Sequence, residues 1–281
     1  MTRLRGPYIV GFIGACYLEK KMCIAIEFAP DGSLGHVLKK VNLSYEQKLK
    51  FMIDCCKGMA MMHSINIIHR DLKPDNLLMF CVDQVNPKIV NCKITDFGTS
   101  RAVQEYEGNY TCGVGTPVYM APELLSKEPY TITADQFSFA IMMYEVYIQG
   151  KPYSSEQFKM PWDIAKFVIA GKRLERKDTM TDVWWNVITQ CWDHIPSKRP
   201  AFKDVAVMLQ DELATLIPTF AENKEVTSPQ KLREESIDPN MKTTTTTTTL
   251  TSTMNSDVGY NTNQTGMSKF INTTTDDFEV N

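Results

Sequence analysis

Apolar residues recur at helical spacing behind Ser44-Tyr45-Glu46-Gln47: Leu49, Met52, Ile53, Cys56 and Met59 fall three or four positions apart, up to His63. The four leading residues have the form of a capping box, in which a serine hydroxyl and a glutamine side chain satisfy two orphan amides at a helix start. The spacing predicts a helix with one buried face, in which Gly58 costs about 1 kcal/mol against alanine. Thr133-Ala134-Asp135-Gln136 has the same form and opens an apolar stretch, 137–148, that ends near Gly150. That stretch is apolar nearly all round, which predicts a buried helix. Pro200 opens a third helix, with Phe202, Val205, Ala206, Leu209 and Leu213 on one face. Residues 22–28 and 77–82 are short apolar runs bounded by turn formers and predict strands. Asp83-Gln84-Val85-Asn86-Pro87 leads from the second run to a further strand near Lys93-Ile94-Thr95. Met59, Met61, Met62, Met142 and Met143 read as core filler.

From about residue 221 the pattern stops. Seven consecutive threonines occupy 243–249, and Thr273, Thr274 and Thr275 follow among Asn, Ser and Gly. With so few apolar residues, the entropy of ordering is not offset by burial, so 221–281 is expected to be a disordered tail. The 281 residues are 43% hydrophobic and 22% charged, enough for a sizeable core in the remainder. A net charge of -3 gives no electrostatic case for binding nucleic acid or an anionic membrane surface. The eight cysteines form no C-x-x-C pair, which argues against a zinc site or a disulfide framework and for reduced thiols in the cytoplasm. No uncharged apolar run reaches 18 residues, so no transmembrane helix is expected. Arg3 and Arg5 before the apolar run 8–18 imitate a short signal peptide, but the run reads as core strand.

The chemistry lies in the middle. His69-Arg70-Asp71-Leu72-Lys73-Pro74-Asp75-Asn76 is followed, twenty residues after Asn76, by Asp96-Phe97-Gly98, then by Gly115-Thr116-Pro117 and Ala121-Pro122-Glu123. Any one of these recurs by chance; the four in this order are specific, and through them the chain resembles the eukaryotic protein kinases. The resemblance implies transfer of the ATP γ-phosphate, with magnesium, to a hydroxyl of a protein substrate, a reaction that asks mainly for positioning and charge stabilisation. It makes Asp71 the acceptor of the substrate hydroxyl's proton, and a general base of this kind typically contributes 10²–10⁴-fold. Lys73 matches the lysine that reaches the transferred phosphate as a point charge. Asn76 and Asp96 match the oxygen ligands of magnesium. His69 and Phe97 match packing residues of the core. Arg70 matches the arginine that receives a phosphorylated activation segment, which implies an upstream kinase; Thr111 is the best candidate among Thr99, Ser100, Tyr106, Tyr110, Thr111 and Thr116. Glu123 with Arg199 matches a buried ion pair, and Asp135 an acidic brace on the catalytic-loop backbone.

Lys73 and the Gly115-Thr116-Pro117 run are typical of serine/threonine kinases, whereas Cys191-Trp192-Asp193, Pro196-Ser197-Lys198-Arg199-Pro200 and the window 135–139 look like tyrosine kinases. Having both resembles the tyrosine-kinase-like group, which mostly phosphorylates serine and threonine. Upstream, 6–14 resembles the segment before the family's fourth strand and 22–28 its fifth strand. That makes Ile26 the gatekeeper and turns backbone groups of Glu27 and Ala29 toward adenine; the resemblance adds Leu78 as a further nucleotide-binding residue. The expected fold is α+β and protein-kinase-like: a partial small lobe at 1–30, a mostly helical large lobe at 31–220, and the tail. The sequence enters the family's pattern part-way. No G-x-G-x-x-G occurs, and Ala25-Ile26-Glu27 carries glutamate where the family's strand lysine stands. Two readings follow: a kinase active only with a missing N-terminal lobe, or a catalytically inactive, kinase-derived binding protein.

Overall fold

A computed structural model describes residues 5–18, 21–86, 88–102 and 116–217. Along the chain, strands β1 (Phe12–Leu18) and β2 (Lys21–Ile26) precede a short helix α1 (Leu34–Val37) and the long helix α2 (Tyr45–Ser64). Short strands β3 (Ile67–Ile68), β4 (Leu77–Met79), β5 (Cys92–Ile94) and β6 (Arg101–Ala102) come next. Helices α3 (Pro122–Leu125), α4 (Ala134–Ile148), α5 (Pro161–Ile169), α6 (Asp182–Cys191) and α7 (Phe202–Leu216) complete the order. The result is a mixture of helices and three two-stranded antiparallel sheets, β1–β2, β3–β6 and β4–β5, among the described residues.

The capping box ahead of α2 forms as its residues demand. Ser44 Oγ accepts from the Gln47 amide at 3.2 Å, and Gln47 Oε1 accepts from the Ser44 amide at 2.8 Å. The predicted apolar positions Leu49, Met52, Ile53, Cys56 and Met59 are all buried, as are Met62, Met142 and Met143. Gly58 is required by close approach: a Cβ there would lie 2.9 Å from the Tyr8 carbonyl oxygen and 2.6 Å from Ile94 Cδ1. That carbonyl accepts from the Ile94 amide at 2.9 Å, so the glycine lets the segment before β1 pass between α2 and β5. On the same helix, buried Lys50 and Asp54 pair at 2.7 Å, while Asp54 also accepts from the Asn91 amide and Lys50 donates to the Ile89 carbonyl. Burial pushes the Asp54 carboxyl up despite the lysine beside it.

Helix α7 buries all five of its predicted positions, Phe202, Val205, Ala206, Leu209 and Leu213, although it begins two residues past Pro200. Helix α4 is buried nearly all round, as its composition predicts. Its expected capping box does not form. Thr133 has helical φ and ψ (-67°, -11°), which turn its hydroxyl away from the capping position. The chain enters through an earlier turn, in which the Ala134 and Asp135 amides donate to the Thr131 and Ile132 carbonyls.

Hairpin β1–β2 exposes Ile13 and Tyr17, and Phe28 two residues past it is exposed as well, each more than two-thirds. It joins the helical body through Tyr8–Val10: Ile9 bridges Ile94 in parallel, and the Val10 amide donates to the Ile94 carbonyl at 2.9 Å. Residues 218–281, with the threonine-rich tail expected from 221, lie outside the described residues.

Candidate functional site

The loop from β3 to β4 carries His69–Asn76 and is held from below by one carboxylate. Asp135, on the first turn of α4, accepts the His69 amide on Oδ2 and the Arg70 amide on Oδ1, each at 2.9 Å. His63 Nε2, near the end of α2, meets Asp135 Oδ2 at 2.9 Å. Arg70 sits at φ 70°, a left-handed conformation that costs a non-glycine residue of order 1–3 kcal/mol. Two charge-assisted bonds from one buried carboxylate hold it there. His69 is fully buried, stacks edge-on to Phe97 at 6.0 Å and meets the Thr95 carbonyl through Nε2 at 2.9 Å.

Asp71, Lys73 and Asn76 converge. Lys73 Nζ lies 2.6 Å from Asp71 Oδ2; Asn76 Nδ2 donates to the same oxygen at 3.1 Å and to the Asp71 carbonyl at 2.7 Å. The Thr116 amide and hydroxyl donate to Asp71 Oδ1 at 3.0 and 2.9 Å, and Lys73 Nζ also reaches Thr116 Oγ1 at 2.9 Å. The carboxylate is thus oriented by four donors and already in contact with a hydroxyl group. The sequence reading assigns Thr116 to the substrate-facing loop without naming Asp71 as its partner.

Asp96 follows β5. The Thr95 amide donates to the Asn76 carbonyl at 3.0 Å, so Asp96 leaves the strand one residue beyond a point tied to Asn76. Asp96 is exposed, with φ 60°, and its Oδ1 accepts from Gly98 at 3.3 Å. With the Asn76 amide nitrogen engaged by Asp71, its oxygen is the atom left for a cation. No three His, Cys, Asp or Glu side chains cluster for a metal among the described residues. One asparagine and one carboxylate nevertheless fit magnesium, which commonly takes one or two carboxylates and completes its shell with phosphate and water.

Ile26, Glu27 and Ala29 lie at the end of β2 and in the segment after it. The Glu27 amide donates to the Gly11 carbonyl and the Ala29 carbonyl accepts from Gly32. The Glu27 side chain does more than its backbone promised: its carboxylate takes the Gly11 amide at 2.6 Å and Lys93 Nζ at 2.7 and 2.8 Å. Lys93 stands opposite Leu78 in the β4–β5 ladder, so the hinge segment and Leu78 meet through one lysine. Arg70 donates from Nε to the Thr99 carbonyl and from Nη1 to the Tyr130 hydroxyl at 3.3 Å. Thr111 lies outside the described residues.

Beneath the site, Glu123 and Arg199 form a two-pronged buried pair, Nη1–Oε1 at 2.6 Å and Nη2–Oε2 at 2.9 Å. Tyr119 donates to Glu145 of α4 at 2.5 Å. Burial is the main cause that pushes the Glu145 carboxyl up, and the nearby Asp75 adds to it. The folded state then holds this proton more tightly than the unfolded chain, so stability falls as pH rises from about 4.5 through the raised folded value. Glu145→Gln keeps an acceptor for Tyr119 and is expected to flatten that part of the urea-derived stability profile.

An aspartate, a lysine and an asparagine thus come from one loop, and a second aspartate comes from just past β5. The family model for protein tyrosine and serine/threonine kinases matches residues 1–209, and the chain belongs to that family. It is 34% identical over 240 residues to the probable serine/threonine-protein kinase gdt9 of Dictyostelium discoideum, covering 74% of this chain and 15% of that protein. It is 32% identical over 212 residues to the dual specificity protein kinase shkB of the same organism, covering 73% of this chain and 31% of that one. With the serine/threonine-protein kinase STY46 of Arabidopsis thaliana the identity is 34% over 231 residues, covering 81% and 38%. The chain therefore spans well under half the length of these relatives. No helix among the described residues is long and apolar enough to cross a membrane.

Proposed function

We propose that this chain carries the phosphoryl-transfer site of a protein kinase that moves the γ-phosphate of ATP to serine or threonine, with tyrosine the further acceptor, in protein substrates. The observation that carries the reading is the Asp71 carboxylate, set between Lys73 Nζ at 2.6 Å and a hydroxyl at 2.9 Å. A substrate hydroxyl in the position of Thr116 Oγ1 would hand its proton to Asp71 Oδ1 while Lys73 meets the incoming phosphoryl oxygen. Asn76 and Asp96 would hold magnesium, which when bound neutralises charge on the phosphates. Ile26, the backbone of Glu27 and Ala29, and Leu78 would enclose the adenine. Arg70 would receive a phosphate added to Thr111 by an upstream kinase. The reading assigns residues up to 30 to a small lobe, 31–220 to the large lobe and 221–281 to a disordered tail, and places the reaction in the cytoplasm.

The test is made on the native polypeptide isolated from its source, with ATP and a degenerate serine, threonine and tyrosine peptide library. Phosphate is expected on serine and threonine only when magnesium is present, and chelation should stop transfer. Transfer indifferent to chelation, or none by folded protein with a peptide library and magnesium present, would overturn the reading. In the second case the inactive, partner-binding reading would take its place.

A further inference from the structure

We propose that Cys16 and Cys23 form an oxidation-sensitive pair, closed by hydrogen peroxide into a disulfide across hairpin β1–β2. This rests on the hairpin alone and is independent of the kinase reading. In the register of the two strands Cys16 lies directly opposite Cys23. Directly opposed residues of an antiparallel pair project from the same face, with Cα atoms about 4.5–5.5 Å apart. A disulfide spans about 4.4–6.8 Å between Cα atoms, so the bond needs no change of strand pairing. Sequence spacing hides this relation: the two residues are brought together by the pairing of β1 with β2.

Both cysteines are exposed, and neither is in a disulfide. One of the two flanking pairs on the same face is Gly14 opposite Ala25, and a Cβ added at Gly14 would meet nothing within 4 Å, so an oxidant can approach from that side. Of the five other described cysteines, Cys81 is half-buried and four are buried. Cys55, Cys56, Cys92 and Cys191 are buried, and burial pushes their thiols up, well above the ordinary value for the first three and to about 12 for Cys191. Only the thiolate reacts, so these four are poor targets, and Cys16 and Cys23 are the two exposed thiols among the described residues.

The chemistry closes. One thiolate attacks a peroxide oxygen, the O–O bond breaks, and the departing oxygen leaves as water, giving a sulfenic acid. The opposite thiolate attacks that sulfur, forming the S–S bond and expelling hydroxide, which takes up a proton as a second water. Two thiols are oxidised while one peroxide is reduced to two waters. Cys23 stands three residues before Ile26, so the bond would fix the strand that leads into the hinge segment.

The experiment treats the 281-residue chain with one equivalent of hydrogen peroxide, alkylates the remaining thiols and digests with trypsin without reductant. The expected product is peptide 6–20 joined to peptide 22–39 within a monomer, lighter by two hydrogens than the separate reduced peptides and released by dithiothreitol. Cys16→Ser should abolish the linked species and leave Cys23 to advance to higher oxides. Three results would overturn the proposal: both cysteines recovered separately as alkylated or over-oxidised residues, a link to Cys112 in place of the cross-strand one, or a link between two chains.

Discussion

Asp71→Asn is expected to lower phosphoryl transfer by about 10²–10⁴-fold, the usual contribution of a positioned general base. Asparagine has the same shape but takes no proton. Its amide can offer an oxygen to only one side of the present arrangement. The side facing Lys73 and Asn76 presents donors only, whereas the side facing Thr116 presents a hydroxyl that can reverse its role as well as an amide. The variant should therefore turn its oxygen to Lys73 and its nitrogen to Thr116 Oγ1, at a modest cost from the opposed Thr116 amide. The kinetic signature separates chemistry from binding. Because Asp71 is placed to act on the acceptor hydroxyl, kcat should fall while KM for ATP stays near that of the native polypeptide. A drop smaller than tenfold, or one expressed mainly in KM for ATP, would remove Asp71 from the role of base.

Arg199→Ala is expected to reduce folding stability by about 3–5 kcal/mol, the usual loss when one member of a buried ion pair is removed. Arg199 and Glu123 are each about 5% exposed, so water cannot replace the lost partner. The guanidinium also donates to the Thr133 carbonyl at 2.9 Å and the Asp193 carbonyl at 2.9 Å, and it lies over the Phe137 ring. Truncation strands all of these at once. Arg199→Lys keeps the charge but loses the fork, and should fall between the two. If the damage is an uncompensated buried carboxylate, adding Glu123→Gln to Arg199→Ala should restore part of the loss. A urea midpoint for Arg199→Ala within error of the parent chain would refute the account.

The helices that were legible are those whose caps and burial agree locally. Helix α2 has a serine and a glutamine three residues apart, followed by one apolar stripe, and both features form as written. Thr133 to Gln136 shows the limit of the same rule. The pattern is present, but the backbone arrives already helical at Thr133, so the cap bond does not form. Helices α5 and α6 were not anticipated. Helix α6 is capped by Thr181 without an acid or amide at the third position, and its aromatic pair Trp184-Trp185 reads as strand as readily as helix. In the site, Asp71, Lys73 and Asn76 were legible because they lie within one loop. Thr116 and Lys93 were not, because spacings of 45 and 66 residues carry no information about contact. The signal for Thr116 was its place in the Gly-Thr-Pro run, which marks it for the site without naming its partner.

Asp135 bears on what can be moved between proteins. The loop conformation at Arg70 is paid for outside the loop, by a carboxylate on a helix that begins more than sixty residues later. Residues 69–76 are therefore not a portable cassette. Grafted into another scaffold without an acidic side chain beneath them, they should relax toward right-handed backbone at Arg70 and lose the alignment of Asp71, Lys73 and Asn76. A designer wishing to transplant the chemistry has to carry the floor along with the loop.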